Sequence, residues 1–504
     1  MPVEGFAWEP RLVSLLTGLF FIGLAIILAL PIFSRLSWMI FIQDDFLYYL
    51  KVAQNVVHGH GSTFNAVVPT NGYQPLWFYL LVLLSYVTEN PRTILAMLAV
   101  SNFVAAGATF LLSRRLLASS GVRPLLIFVF AAWTTLYSIT LFFYGMEVTL
   151  TVPLMLGVLC LLRNIEWLQR SAVHAFWLGL LLSAMVLSRI DTLIFGGLLL
   201  FGILISKPLR AMIRPGLLLG VGLGLLPVLF YFVSNHVLFG TWLPVSGMAK
   251  ELKLSSGPSI ETWRMFFFPL AGFFTLVLLT ALFLFPAIRK QISPMERVFF
   301  PAALLFPFVY YFILSCVSDW TLWGWYMYPI RVAVCISFLT FCLWRPLSRL
   351  LQKPLVTGFL LLTVFACLSL MRWTKQQTDI YDASVEIQKF ATTHPGTYAM
   401  GDRAGRVAYL IPDPVIQTEG LMMDRSYLEY IRRQTPLRDT LAHYNVRYYV
   451  ATAYEPFQGC FRANEPAKAG PTSAHMRDVF CEKPVATYFH NDIETLIFDL
   501  GANK

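Results

Sequence analysis

The stretch Ile42–Trp77, IQDDFLYYLKVAQNVVHGHGSTFNAVVPTNGYQPLW, decides how the rest of the chain is read. An apolar run over residues 12–33 precedes it, headed by Arg11. A helix needs about 20 apolar residues to cross the hydrocarbon. That run is too long for a signal-peptide core and no small-x-small site follows, so an uncleaved first span is expected. Asp44 and Asp45 sit where that span leaves the membrane. Phe46, Leu50, Ala53 and Val57 then recur at helical spacing, which predicts a short helix lying on the bilayer with its apolar face down. Lys51, Gln54, Asn55 and His58 face the other way. Gly- and His-rich turns follow, closing on Asn71-Gly72-Tyr73-Gln74-Pro75. The short apolar run 76–87 reads as a juxtamembrane or re-entrant helix of the same loop.

The surrounding chain is 57% hydrophobic and 13% charged, with a mean hydropathy of +0.64. Soluble domains carry roughly 25% charge, so an integral membrane protein is expected. Hydropathy places further spans at 93–112, 125–143, 148–162, 175–187, 192–205, 216–232, 265–285, 299–314, 326–343 and 355–370, about eleven with the first. With the N-terminus in the cytoplasm, the inside loops hold Arg114, Arg115 and Arg123, then Arg163 and Arg170, then Lys207, Arg210 and Arg214. Arg289, Lys290 and Arg297 follow, then Arg345, Arg349 and Lys353, as the positive-inside rule requires. The net charge of +10 is therefore read as membrane topology, and a nucleic-acid partner is not expected.

This topology puts Asp44, Asp45, Lys51, His58, His60, Glu147, Arg189, Asp191, Lys250, Trp325 and Tyr326 on one face. Ionisable groups kept near a bilayer are costly and point to function, although some snorkel or form structural ion pairs. The expected architecture is a polytopic α-helical membrane domain over residues 1–372, with a catalytic first outer loop at 34–92. A small extracytoplasmic α/β domain over 373–504 completes it. Strands are expected at 398–401, 446–451 and 494–499 and a helix at 424–433. Cys460 and Cys481 fall in that domain and are disulfide candidates in an oxidising compartment.

Asp44 or Asp45 could cap the helix they begin. Either carboxylate could instead take a proton from an acceptor hydroxyl as general base. A departing phosphate needs cationic or N–H donors, and Arg189, Lys250 and Arg331 are the candidates, with Lys51 behind them. The aromatic segment SDWTLWGWYMYPIR (residues 318–331) suits either stacking on sugar rings or an interfacial belt. No metal-ligand spacing is visible. A metal is not expected to be obligatory, although paired acids leave a divalent ion open.

The Asp-Asp pair, the turn Gly59–Asn65 (GHGSTFN) and Asn71-Gly72-Tyr73-Gln74-Pro75-Leu76-Trp77 resemble bacterial GT-C glycosyltransferases. Gly145-Met146-Glu147, Ser188-Arg189-Ile190-Asp191 and Trp325-Tyr326-x-x-Pro329 carry the same resemblance. The relatives include protein O-mannosyltransferases, the aminoarabinose transferase of lipid A and the mycobacterial arabinofuranosyltransferases. The likeness covers roughly residues 11–370 and more loosely the rest. It implies a GT-C-like fold in the inner (plasma) membrane with its active site and C-terminal domain extracytoplasmic. It further implies a polyprenyl-phosphate sugar donor, a lipid, glycan or protein acceptor, Asp44 or Asp45 as base and inversion at the sugar. His58, His60, Asn71, Tyr73, Gln74, Glu147, Asp191, Trp325 and Tyr326, with Lys51, are the substrate-binding candidates. This chain lacks the acidic Gly-Tyr-Thr-Asn-type turn of the arabinofuranosyltransferases and the Pro-Pro-Leu segment of the mannosyltransferases, so the donor sugar is left open. The competing class is a transporter or flippase of lipid-linked sugars. It predicts ionisable groups at the bilayer midplane and repeated halves, and neither pattern is visible.

Overall fold

The computed structural model describes residues 9–118, 122–142, 145–164, 167, 170–260, 262–263, 269–344 and 375–501. The expected span at 355–370, the basic residues Arg345, Arg349 and Lys353, and the boundary near 372 lie outside them.

The N-terminal part is helical. In chain order it contains α1 (Glu9–Phe33), α2 (Asp44–Val57), α3 (Pro75–Val87), α4 (Pro91–Ala118), α5 (Pro124–Phe142), α6 (Val148–Leu162) and α7 (Ala172–Ser188). There follow α8 (Leu193–Ile205), α9 (Pro215–Gly224), α10 (Leu226–Phe239), α11 (Val245–Lys250), α12 (Pro269–Ile288), α13 (Glu296–Val317) and α14 (Tyr328–Leu343). Each expected span within the described residues corresponds to a helix or a helix pair. Their lengths are uneven, however. Among the described residues four helices are long and apolar enough to cross a membrane, or five if α9 and α10 form one span. Those two meet at a 44° bend. Several other apolar helices run to 17 residues or fewer, because Pro and polar turns cut the apolar runs short. Pro75, Pro124 and Pro215 each open a helix, where a missing N–H costs nothing.

The structure corrects the expectation for α2. It turns its apolar face into protein. It is packed between α3 and a helix of the C-terminal domain, and Phe46, Leu47, Leu50, Val52 and Ala53 are fully buried in protein. Burying each of the larger of these side chains stabilises the fold by roughly 1.5–3 kcal/mol. The loop after α2 is pinned from below. Asn71 donates to Asn235 and Thr241 at 2.9 Å and accepts from the Val245 amide at 2.9 Å. Trp77 donates its indole N–H to the Gly145 carbonyl at 2.9 Å.

The C-terminal part begins with α15 (residues 375–393). It continues through β1 (Tyr398–Met400), α16 (Ala404–Leu410), β2 (Val415–Gln417), α17 (Arg425–Arg432), α18 (Leu437–His443) and β3 (Tyr448–Ala451). Then come β4 (Tyr454–Phe457), β5 (Cys460–Glu465), β6 (Met476–Phe480), β7 (Ala486–His490) and β8 (Ile493–Asp499). One sheet has the order β2-β1-β3-β8-β7 and the other β4-β5-β6. β1 pairs in parallel with both β2 and β3, whereas β8 is antiparallel to β3 and β7. The chain thus leaves β1 to one side and returns on the other. β1, β3, β8 and α17 were expected from the sequence, whereas β2, the three-stranded sheet and β7 were not. Cys460 and Cys481 form a disulfide that flanks the β5–β6 pair.

The two parts are joined by backbone. The segment after α11 pairs with the loop before β6: the Leu254 amide donates to the Thr472 carbonyl and the Ala474 amide to the Leu252 carbonyl, both at 2.8 Å. Asp319 fixes the aromatic segment to the same loop by accepting from the Thr472 amide at 2.8 Å and hydroxyl at 2.6 Å, and from Ser473.

Candidate active site

The N-terminus of α2 projects two adjacent acids, and their surroundings separate them. Asp44 accepts from the backbone amides of Gly405 and Arg406 at 2.9 and 2.8 Å, so it caps α16 from across the domain boundary. A Cβ on Gly405 would stand 2.5 Å from the Asp44 carbonyl oxygen, so only glycine permits this approach. Arg406 is buried behind the pair, donating to the carbonyls of Met39 and Ile42 and to Gln377. Asp44 therefore has both carboxylate oxygens engaged in holding the fold.

Asp45 accepts no hydrogen bond among the described residues. It lines two adjoining cavities of about 280 and 450 Å³, as do Tyr48, Lys250, Leu421 and Trp325. Burial pushes its carboxyl up to about 7, and Asp44, Glu147 and Asp402 push the same way, while Lys250 opposes them. A carboxylate poised near neutrality and open to a cavity is suited to take a proton.

The inner, smaller cavity is walled mostly by apolar side chains of the helical part, with Gln74, Glu147, Arg189, Asp191, Tyr310 and Tyr326 among its polar groups. Arg189, only 4% exposed, is held between Glu147 and Asp191 at 2.6 Å each. Tyr310 and Tyr328 donate their hydroxyls to Asp191 at 3.0 and 2.8 Å. Arg189, expected as a phosphate-binding candidate, thus already has two carboxylate partners inside the wall. Lys250 has no carboxylate partner among the described residues. Its ammonium donates to the Tyr326 hydroxyl at 2.6 Å and stands 5.8 Å from the Trp320 ring centroid. Gln74 accepts from the Ile190 amide at 3.1 Å and so ties the α3 start to the Arg189 turn.

Other sequence candidates are not brought here. Arg331 donates to the Tyr137 carbonyl and lies over that ring, lining neither cavity. His58 pairs with Glu89 at 2.6 Å on the exposed far end of α2, with His60 beside it. Lys51 lines neither cavity, Asn71 belongs to the loop anchor described above, and Tyr73 bonds Ser62 at 2.6 Å and stacks on Phe78. Lys51, His58 and His60 lie 7 to 16 positions beyond Asp44, so the helix carries them one to several turns away from its N-terminus.

The outer cavity was missed. The C-terminal domain lines it with Asp402, Arg403, Arg406, Glu419, Thr452 and Lys468, opposite Trp320, Trp323 and Trp325. The available signal was charged loops directly after expected strands, GDRAGR at 401–406 and TEG at 418–420. Among the described residues no group of three His, Cys, Asp or Glu side chains is placed to hold a metal ion.

No protein-family model matches the chain, and no protein of curated function matches it. Among solved structures it is similar to the Archaeoglobus fulgidus oligosaccharyltransferase tethered with an acceptor peptide, at 13% identity and a TM-score of 0.44, over 86% of this chain and 69% of that one. It is also similar to the archaeal oligosaccharyltransferase AglB from Archaeoglobus fulgidus in complex with an inhibitory peptide and a dolichol-phosphate. There the identity is 12% and the TM-score 0.45, over 86% of this chain and 70% of that one. Likenesses of this size carry no functional inference.

Proposed function

We propose that the protein is a membrane glycosyltransferase that moves a sugar from a polyprenyl-phosphate donor to an acceptor hydroxyl at the extracytoplasmic face. The observation that carries this reading is Asp45: an unpaired, partly buried carboxylate at the junction of two cavities, next to a lysine with no acidic partner. The apolar inner cavity takes the phosphate end of the lipid donor. Asp45 removes the acceptor proton, and the acceptor oxygen bonds to the anomeric carbon. The bond from that carbon to the phosphate oxygen breaks, and its electron pair leaves with the polyprenyl phosphate. Lys250 meets the charge that grows on this leaving group, inside a dry site where such contacts are strongest. Glu147 and Asp191 hold Arg189 within the wall, so that Lys250 directs the phosphate. A single displacement inverts the anomeric centre.

Sugar transfer in membranes bearing the wild type, Asp45→Asn or Asp44→Asn, supplied with radiolabelled polyprenyl-phosphate sugars, tests the reading. Transfer by the wild type should fall by about 10²–10⁴-fold in Asp45→Asn. Any Asp44→Asn defect should track loss of folded protein. Full transfer by a well-folded Asp45→Asn protein would sink the assignment of the base. Product with the donor's anomeric configuration retained would sink the single displacement.

A further inference from the structure

We propose that the outer cavity is the acceptor site and that the acceptor is an uncharged carbohydrate. This inference rests on the glycosyltransferase reading above. Topology is the first support. β1 lies between β2 and β3, parallel to both, so the chain switches direction beyond the carboxyl ends of these strands. Such switch points form ligand crevices in sheets of this kind. Asp402 follows β1, Glu419 follows β2 and Thr452 follows β3, and all three line the cavity.

Unused polar groups are the second support. Glu419 is only 4% exposed, and its Oε1 has no hydrogen-bond partner. The Trp320 indole N–H and the Thr452 hydroxyl are likewise buried and unpartnered. A ligand that supplies both donors and acceptors would satisfy them, and a row of hydroxyls does both. Burial and the neighbouring acids Asp402, Glu465 and Asp45 push the Glu419 carboxyl far above its usual range, against Lys468. A protonated Glu419 both donates and accepts, which suits a hydroxyl better than a phosphate oxygen.

Charge and shape narrow the class. Six carboxyl side chains line the cavity against four cations, and Lys468 is already spent on Asp402 at 3.2 Å. A phosphorylated or acidic acceptor would find no surplus of positive charge there. An extended peptide is recognised along a sheet edge, whereas this cavity lies beyond the carboxyl ends of β2, β1 and β3. Trp323 stays 40% exposed at the cavity and stacks on Trp325 at 5.9 Å. Indoles of this kind cover the apolar C–H face of a sugar ring while carboxyl groups take its hydroxyls. One such hydroxyl, set against Asp45, is the nucleophile.

The test is binding without donor. Purified full-length protein is titrated with the methyl glycosides of glucose, galactose, mannose and N-acetylglucosamine, with an uncharged capped tetrapeptide and with inorganic phosphate, read by tryptophan fluorescence. At least one glycoside should bind saturably, and Glu419→Gln and Trp323→Ala should each weaken it by about 10-fold or more. Glu419→Gln keeps the side-chain volume and guards against misfolding in the tryptophan variant. Absence of glycoside binding, whatever else binds, overturns the inference. So does glycoside binding that neither variant weakens. Donor turnover is measured separately. Absence of donor turnover by the wild type removes the glycosyltransferase reading, whereas absent glycoside binding with intact donor turnover removes only the acceptor inference.

Discussion

The two cavities share Asp45, Tyr48, Lys250, Leu421 and Trp325, yet their remaining walls follow different rules. The inner wall comes mainly from the helical part and pairs Arg189 with Glu147 and Asp191, leaving Glu147 Oε2 as its one unpartnered buried polar atom among the described residues. The outer wall comes largely from the C-terminal domain and leaves buried polar atoms unpaired. An apolar wall whose arginine is already paired favours an apolar occupant whose single charge is met by one lysine. A wall with open donors and acceptors favours an occupant rich in hydroxyls. Asp45 can serve both because it alone of the two acids is not committed to the fold.

The sharpest way to break this contrast is to unbalance the inner wall. Arg189→Met leaves two carboxylates buried without their cation and should cost about 3–5 kcal/mol of stability, read as a lowered thermal midpoint in detergent. If the midpoint holds, the wall is not neutralised by that pair. Lys250→Met tests the lone cation. Transfer should drop by about 10²-fold with weakened protection by added polyprenyl phosphate, while glycoside titrations change little. An equal loss with every donor and acceptor concentration, and no change in polyprenyl-phosphate binding, would move the phosphate elsewhere.

The junction itself is read by pH. The Asp45 carboxyl stands at about 7, and only its ionised form accepts a proton. kcat/KM should therefore fall as pH drops below about 7, by roughly tenfold per unit. An ordinary carboxylate would hold the rate flat down to about pH 4. The smallest effect is expected far from both walls. His58→Ala removes an exposed pair with Glu89 and should shift stability by no more than about 0.5 kcal/mol, with transfer unchanged.

Much of the inner cavity was legible in the sequence. Two acids directly after an apolar run, and single charges between apolar runs, have few inexpensive explanations near a bilayer, so Asp45, Glu147, Arg189, Asp191, Lys250 and Tyr326 were all in view. Their pairing was not. Arg189 meets Glu147 across 42 positions, and no local spacing encodes that contact. The roles of the two acids were equally hidden, because the partner of Asp44 lies 361 positions away. Helical periodicity identified the apolar face of α2 correctly but could not say whether lipid or protein would cover it. The outer cavity was least visible. Its residues look like ordinary polar loops until the strand order places three strand ends side by side.

Gly72 approaches the carbonyl of Leu421 so closely that a Cβ there would collide with it, and Asp44 holds the start of α16. These two contacts put a clock on biosynthesis. The ribosome completes Asp45 and its supporting helices long before it reaches the segment that covers them. Under the proposed topology, the early chain sits in the membrane with its acid in position and its outer wall missing. Competence arrives only when the final quarter of the polypeptide has crossed the bilayer and docked. Until then, a lipid-linked sugar that reaches the inner cavity meets the acid with no acceptor wall beside it.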